Sequence, residues 1–203
     1  MSPPAQRART ALTEKWPPGW ANWAVTARNS ALSANVQERE LAALISAQSL
    51  TASPYIRHGA VILSHVGEHA ISWTALGLVG AVLDRGQRRQ WLWATATVIS
   101  AHAVSIALKR VARRRRPSDP RIRVHVATPS HWSFPSSHAA STTAAAVAYS
   151  RLLRRRYPLF SIPVMMASRV IVGVHYPSDV LAGALVGAVM GRWSARARPV
   201  SGS

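Results

Sequence analysis

Apolar residues in this chain are gathered into blocks of about 17–25 residues, the length a bilayer core requires. Clusters of arginine separate the blocks. No block shows the two-residue alternation of a strand, so helices are the expected spanning elements. The blocks run from Tyr55 to Leu83, from Trp91 to Leu108, from Pro135 through an Ala/Ser/Thr run, from Pro158 to Val174 and from Ser178 to Trp193. The chain is therefore read as all-α, a polytopic membrane bundle of about five transmembrane helices. Residues 55–194 form that transmembrane domain. Residues 1–30, with prolines, scattered charge and Trp16, Trp20 and Trp23, read as a mobile N-terminal arm whose tryptophans suit a bilayer interface. Residues 31–54 read as an amphipathic interfacial helix, with Leu32, Val36, Leu41, Leu44, Ile45 and Leu50 among polar residues. Residues 195–203 are a C-terminal tail. No signal-peptide pattern is visible.

Charge narrows the chemistry. The sequence carries 25 Lys+Arg against 7 Asp+Glu, a formal net charge of +18, and it is 48% hydrophobic. Such a balance fits nucleic acid or a membrane surface, and the apolar blocks favour membrane lipids. The run Arg113–Arg116 lies at a block end and lacks interleaved aromatics, so no nucleic-acid partner is expected. There is no cysteine to form a disulfide or a thiolate metal site. The acidic residues are too few and too scattered for a carboxylate-built two-metal centre. Phosphate chemistry here would rest on Arg, Lys and His, with no metal and no cofactor.

The most informative stretch is Ser168-Arg169-Val170-Ile171-Val172-Gly173-Val174-His175-Tyr176-Pro177-Ser178-Asp179. His175 and Asp179 are four apart, and Pro177 suits the first turn of a helix. The carboxylate can then reach one imidazole nitrogen and leave the other as a nucleophile. Arg169 offers a planar fork suited to phosphate oxygens. A buried Arg–Asp pair beside a core histidine is the alternative reading of this stretch alone.

Counting crossings brings distant residues together. Lys109 and Arg116 follow the second block, His138 opens the third, and Arg169, His175 and Asp179 lie where the fourth meets the fifth. All six fall on one side of the membrane. The opposite side holds Asp84–Gln90, Arg151–Arg156 and Arg192–Arg198, with Trp91, Trp93, Tyr157 and Trp193 as an aromatic belt. In the first block His65, Glu68 and His69 share a helix face, and ionisable groups in a span normally face the protein interior or a water-filled cavity. His65, Glu68 and His102 are the expected wall of a headgroup pocket; a metal site on that face is a minor alternative. Gly183, Gly187 and Gly191, at four-residue spacing, make a small-residue face that packs within the bundle or joins two copies into a homo-oligomer.

The pattern Lys109-x6-Arg116-Pro117, then Pro135-Ser136-Ser137-His138, then Ser168-Arg169-x5-His175-x3-Asp179 resembles the type-2 phosphatidic acid phosphatase family, which shares its site with vanadium haloperoxidases. The resemblance implies a metal-independent phosphatase. His175 would be the nucleophile that forms a phosphohistidine, and Asp179 its orienting partner. His138 would be the acid and base. Lys109, Arg116 and Arg169 would hold the phosphate, with Ser136 and Ser137 adding donors. Ser137 stands where the family usually has glycine. The family commonly has six spans, and here the first is missing or reduced to residues 31–51. The stretch Leu63-Ser64-His65-Val66-Gly67-Glu68-His69 further resembles actinobacterial decaprenylphosphoryl-5-phosphoribose phosphatases of cell-wall arabinan synthesis. The expected partner is a polyprenyl or other lipid phosphate. Polyprenyl pyrophosphate, phosphatidic acid and phosphatidylglycerol phosphate are alternative substrates. A non-catalytic protein that binds anionic lipids is the alternative of another class.

The expected location is the plasma membrane, as a multi-pass protein. With five spans, the N-terminal arm and the site share one side. The arm is charged and shows no export signal, which places the site toward the cytoplasm. Arg110 and Arg113–Arg115, outside the motif, read as headgroup contacts or solvated charge.

Overall fold

The structure is a computed structural model, and it describes residues 31–66 and 70–194. The chain divides into two units, Met1–Glu40 and Leu41–Ser203; the site lies in the second. The helices are α1 (Ala31–Leu50), α2 (Pro54–Val66), α3 (Ile71–Leu83), α4 (Arg88–Ala112), α5 (Ser137–Leu152), α6 (Ser161–Ile171) and α7 (Pro177–Ser194). Short 3-10 turns, Arg85–Gln87 and Tyr157–Phe160, precede α4 and α6. Among the described residues there is no strand, only an isolated bridge between Arg115 and Trp132.

The centre of the bundle is the α5–α7 pair. Helix α5 is built from small residues, and nearly all of them are buried. Small side chains let two backbones approach closely. A Cβ at Gly183 would collide with the Ser136 carbonyl oxygen, and one at Gly187 with that of Ala140. The glycine face of α7 is therefore buried inside the bundle, against α5. It is not a surface that a second copy can use, which corrects the homo-oligomer expectation at Gly183, Gly187 and Gly191. The opposite face of α7 carries Leu181, Leu185 and Val189, all exposed, as an outer wall facing lipid requires.

Helix α4 packs its other side on α3. Tyr149 of α5 donates to the Trp73 carbonyl at 2.8 Å, and Trp73 Nε1 donates to Thr142 Oγ1 at 3.0 Å. These bonds tie α3 to α5 around a core that includes Trp91, Val98 and Ala144. Trp91 is thus a core residue and not part of an aromatic belt. Its burial is stabilised by Nε1 donating to Asp84 Oδ2 at 3.3 Å. Trp93, Tyr157 and Trp193 are exposed as expected.

Two expectations about the spans change. The block Tyr55–Leu83 is not one helix but two of 13 residues each, α2 and α3. Ala70, before α3, adopts the left-handed conformation (φ 60°) that an uninterrupted helix excludes. Among the described helices, one stretch, Arg85–Ala112, is long and apolar enough to cross a bilayer by itself. Ile71–Leu83 and Tyr157–Ile171 are shorter apolar helices. Helix α5 falls outside that class because it is a buried Ala/Ser/Thr core helix.

The carboxyl-terminal half of α1 docks on the end of the bundle that carries the motif residues. Leu44 is fully buried. Gln48 Nε2 donates to the Arg123 and Ile171 carbonyls at 2.7 and 2.9 Å, and its Oε1 accepts from Arg123 N. The expectations for Trp16, Trp20, Trp23, Glu68, His69 and the 195–203 tail fall outside the described residues.

Candidate active site

Four local structures converge on one cavity of about 600 Å³. The last turns of α4 bring His102 and Lys109. The loop after α4 brings Arg116. The first turn of α5 brings Ser137 and His138. The end of α6 and the turn that follows bring Arg169 and His175. The turn depends on Gly173, whose φ of +78° suits glycine; a Cβ there would meet the Arg123 carbonyl oxygen at 2.5 Å. Val172 and Val174 are buried on either side and anchor the turn that presents His175.

His175 is 3% exposed and Asp179 is fully buried. Helix α7 begins at Pro177 and puts Asp179 in its first turn. Asp179 Oδ2 accepts from the Tyr176 backbone N–H at 2.8 Å and lies 3.5 Å from His175 Nδ1. That last contact is longer than a strong hydrogen bond, as catalytic contacts often are before substrate binds. The other imidazole nitrogen, Nε2, lies 3.3 Å from Arg116 Nη1. So Nδ1 faces the carboxylate and Nε2 faces the Arg116 guanidinium. Burial, reinforced by Arg116, Lys109 and Arg169, holds the His175 imidazole well below the ordinary histidine range. The neutral form of the ring is therefore favoured, the form that chemistry at a nitrogen lone pair requires.

The cations are fixed by backbone oxygens. Lys109 Nζ donates to the Trp132 and Ser133 carbonyls at 3.3 and 3.0 Å. Arg116 donates through Nε to the Ser130 carbonyl at 2.8 Å and through Nη1 to the Val174 carbonyl at 2.7 Å. Burial lowers Arg116 to about 10, so it stays charged at neutral pH. Arg169, 1% exposed, donates through Nη1 to Ser64 Oγ at 2.8 Å. Carbonyl and hydroxyl oxygens hold these side chains in place, and cations fixed in this way suit the oxygens of a phosphate.

The expected residues divide as follows. His175, His138, Lys109, Arg116, Arg169 and Ser137 line the cavity, as do His65 and His102. Asp179 sits behind His175. Ser136 differs: it is fully buried, its hydroxyl caps α5 by accepting from Ala139 N, and its own N–H donates to the Asp179 carbonyl. It shapes the helix start and does not line the cavity. Ser137, in the glycine position of the family pattern, is the first residue of α5 and its φ is not positive. No conformational penalty attaches to the serine.

Two residues were missed in the sequence. Arg114 is not solvated charge. Its Nη1 donates to Asp179 Oδ1 at 2.9 Å and to Ser178 Oγ at 2.6 Å, and its guanidinium lies 4.2 Å from the centre of the Tyr176 ring. Nothing in a run of four arginines marks which one turns inward. Ser64 joins α2 to the site through both its groups: Oγ accepts from Arg169, and the carbonyl lies 3.1 Å from His138 Nε2. With Nε2 held by that carbonyl, Nδ1 is the His138 nitrogen left to exchange a proton.

Comparison with known proteins follows this geometry. The PAP2 superfamily matches residues 90–202. A decaprenylphosphoryl-5-phosphoribose phosphatase of Mycobacterium tuberculosis is 46% identical over 153 residues, covering 75% of this chain and 86% of the relative. The protein of that name from Mycolicibacterium smegmatis is 47% identical over 145 residues, 71% of this chain and 81% of the relative. The fold is similar to that of the transmembrane PAP2-type phosphatidylglycerolphosphate phosphatase from Bacillus subtilis, with a TM-score of 0.66 at 18% identity, over 86% of this chain and 92% of that one. It is also similar to Aquifex aeolicus LpxE, with a TM-score of 0.64 at 22% identity, over 77% of this chain and 94% of that one. The family match spans over half of the sequence, and the curated relatives are matched over most of their length. The chain therefore belongs to the PAP2 superfamily and is one of its phosphatases.

Proposed function

We propose that this chain is an integral-membrane lipid phosphatase that removes the 5-phosphate of decaprenylphosphoryl-5-phosphoribose during cell-wall arabinan precursor synthesis. The observation that carries the substrate is the 46% identity to a phosphatase of that name over 86% of its length.

The site residues give a two-step route. His175 Nε2 attacks the 5-phosphate phosphorus, a nitrogen–phosphorus bond forms and the bond from phosphorus to the ribose 5-oxygen breaks. His138, entering the step as the imidazolium with its Nε2–H on the Ser64 carbonyl, gives its Nδ1 proton to the departing oxygen. The same nitrogen then takes a proton from water, the water oxygen attacks phosphorus, and the nitrogen–phosphorus bond breaks to release orthophosphate. Asp179 stabilises the positive charge that develops on His175. Lys109, Arg116, Arg169 and the first N–H groups of α5 hold the non-bridging oxygens of a loose transition state. No step requires a metal. Phosphate release from this lipid should persist in EDTA and be inhibited by vanadate. Activity lost in EDTA and restored by magnesium contradicts the route. Release only from phosphatidic acid or polyprenyl pyrophosphate contradicts the substrate.

We further propose that residues 55–194 form the transmembrane catalytic domain, with α2 and α3 as one broken crossing and α4, α5, α6 and α7 as the others. The site of that domain faces the cytoplasm. The chain has no cysteine, so one placed at exposed Ser118 reports the side directly. An impermeant thiol reagent should label it only after the cells are opened. Labelling in intact cells puts the site outside.

A further inference from the structure

The cavity contains one more cation than a phosphomonoester needs. Helix α4 turns one face to it, through His102, Ile106, Lys109 and Arg110. Lys109 is buried at 7% exposure, and Arg110, the next residue, is exposed. The exposed loop residue His131 lines the same cavity. The other arginines of this segment do different things. Arg114 holds Asp179 and Arg116 holds the turn before His175. Arg113 and Arg115 do not line the cavity. The Arg110 backbone carbonyl accepts from Arg113 Nε at 3.0 Å, while the Arg110 guanidinium has no hydrogen-bond partner among the described residues.

Charge explains why a fourth cation is tolerated there. Lys109, Arg116 and Arg169 suffice for a dianion, and an added guanidinium at the mouth of the same cavity favours a substrate that brings further negative charge. The substrate proposed above carries it. Its 5-phosphate is a monoester of roughly two negative charges at neutral pH. Its anomeric oxygen bears a phosphodiester to the polyprenyl chain, with a further negative charge one sugar away. Phosphatidic acid and polyprenyl monophosphate have no second phosphate at that distance.

Resting on the proposed substrate, we propose that Arg110, with His131 beside the same space, binds the phosphodiester that joins the sugar to the lipid. Arg110 is then a specificity-determining residue, and the enzyme selects lipids in which two phosphates flank one pentose. Exposure of Arg110 and burial of Lys109 order the groups by depth: the monoester goes to the buried cations and the diester stays near the mouth. Exposed Ile106 and half-buried Trp132 line the same cavity, offering apolar surface to the first units of the lipid tail.

The test compares two substrates that differ only in the linking group. One is decaprenylphosphoryl-5-phosphoribose, and the other replaces its phosphodiester with a neutral methylphosphonate. Both are presented in the same neutral detergent micelle to wild type, Arg110→Ala and Arg110→Lys. Loss of one charge-assisted hydrogen bond corresponds to about 10–100-fold. Arg110→Ala should lose that much kcat/KM on the charged substrate, Arg110→Lys should lose less, and both should keep wild-type rates on the neutral analogue. Equal losses on the two substrates, or no loss on either, overturn the inference and leave the phosphatase assignment standing. A wild type that releases phosphate from neither substrate overturns the proposed substrate and this inference together.

Discussion

Replacing His175 with alanine should reduce kcat/KM by ~10⁴-fold or more, the scale on which removal of a nucleophile acts when the rest of the site is kept. The expectation follows from position. His175 is buried in a turn formed around Gly173, its Nδ1 faces Asp179 and its Nε2 faces Arg116. The variant keeps Lys109, Arg116 and Arg169, so it should still bind vanadate or orthophosphate, which serves as the control for folding. Near-normal turnover in a variant that binds phosphate removes the nucleophile assignment.

Asp179→Asn should cost roughly 10³–10⁴ in kcat, comparable with loss of the orienting carboxylate in other histidine-based sites. Both oxygens of Asp179 face donors. Oδ1 accepts from Arg114, and Oδ2 accepts from the Tyr176 N–H and faces His175 Nδ1. An asparagine has one acceptor oxygen and one donor nitrogen, so whichever way it turns, an N–H meets another N–H in a fully buried place. If its nitrogen faces His175, the ring is driven to the tautomer with its proton on Nε2, which removes the nucleophilic lone pair. The effect should fall on kcat far more than on KM, because the phosphate cations are untouched. An Asp179→Asn enzyme within tenfold of wild type contradicts the orienting role.

Fold and site were legible in the sequence to different depths. The three motifs mark residues whose chemistry is unusual in an apolar chain, and the crossing count put them on one side of the bundle; in the structure Lys109, Arg116, Ser137, His138, Arg169 and His175 line one cavity, with Asp179 behind His175. The glycine spacing of α7 was legible as a packing face, but its partner was not, because an i, i+4 stripe has the same spacing whether it meets α5 or a second copy. The break between α2 and α3 was hidden. His65, Glu68 and His69 lie at the break but share one face of an unbroken helix in the sequence, and the left-handed residue is an alanine and not a glycine. Ser136 was ambiguous because the same hydroxyl suits a phosphate or a helix N-cap, and the backbone here gives it the cap. Arg114 and Ser64 were invisible for a related reason. Each acts through a partner more than sixty residues away, and tertiary contact of that range leaves no local pattern.

The route through His175 is tested most directly by trapping its intermediate. Enzyme is mixed with decaprenylphosphoryl-5-phosphoribose labelled at the 5-phosphate and quenched within one turnover, in the presence of EDTA. The label should appear on the protein in a form stable to alkali and labile to acid, and it should map to His175 and vanish in His175→Ala. An alkali-labile label on a serine such as Ser137, or turnover without any labelled protein, would contradict the phosphohistidine route.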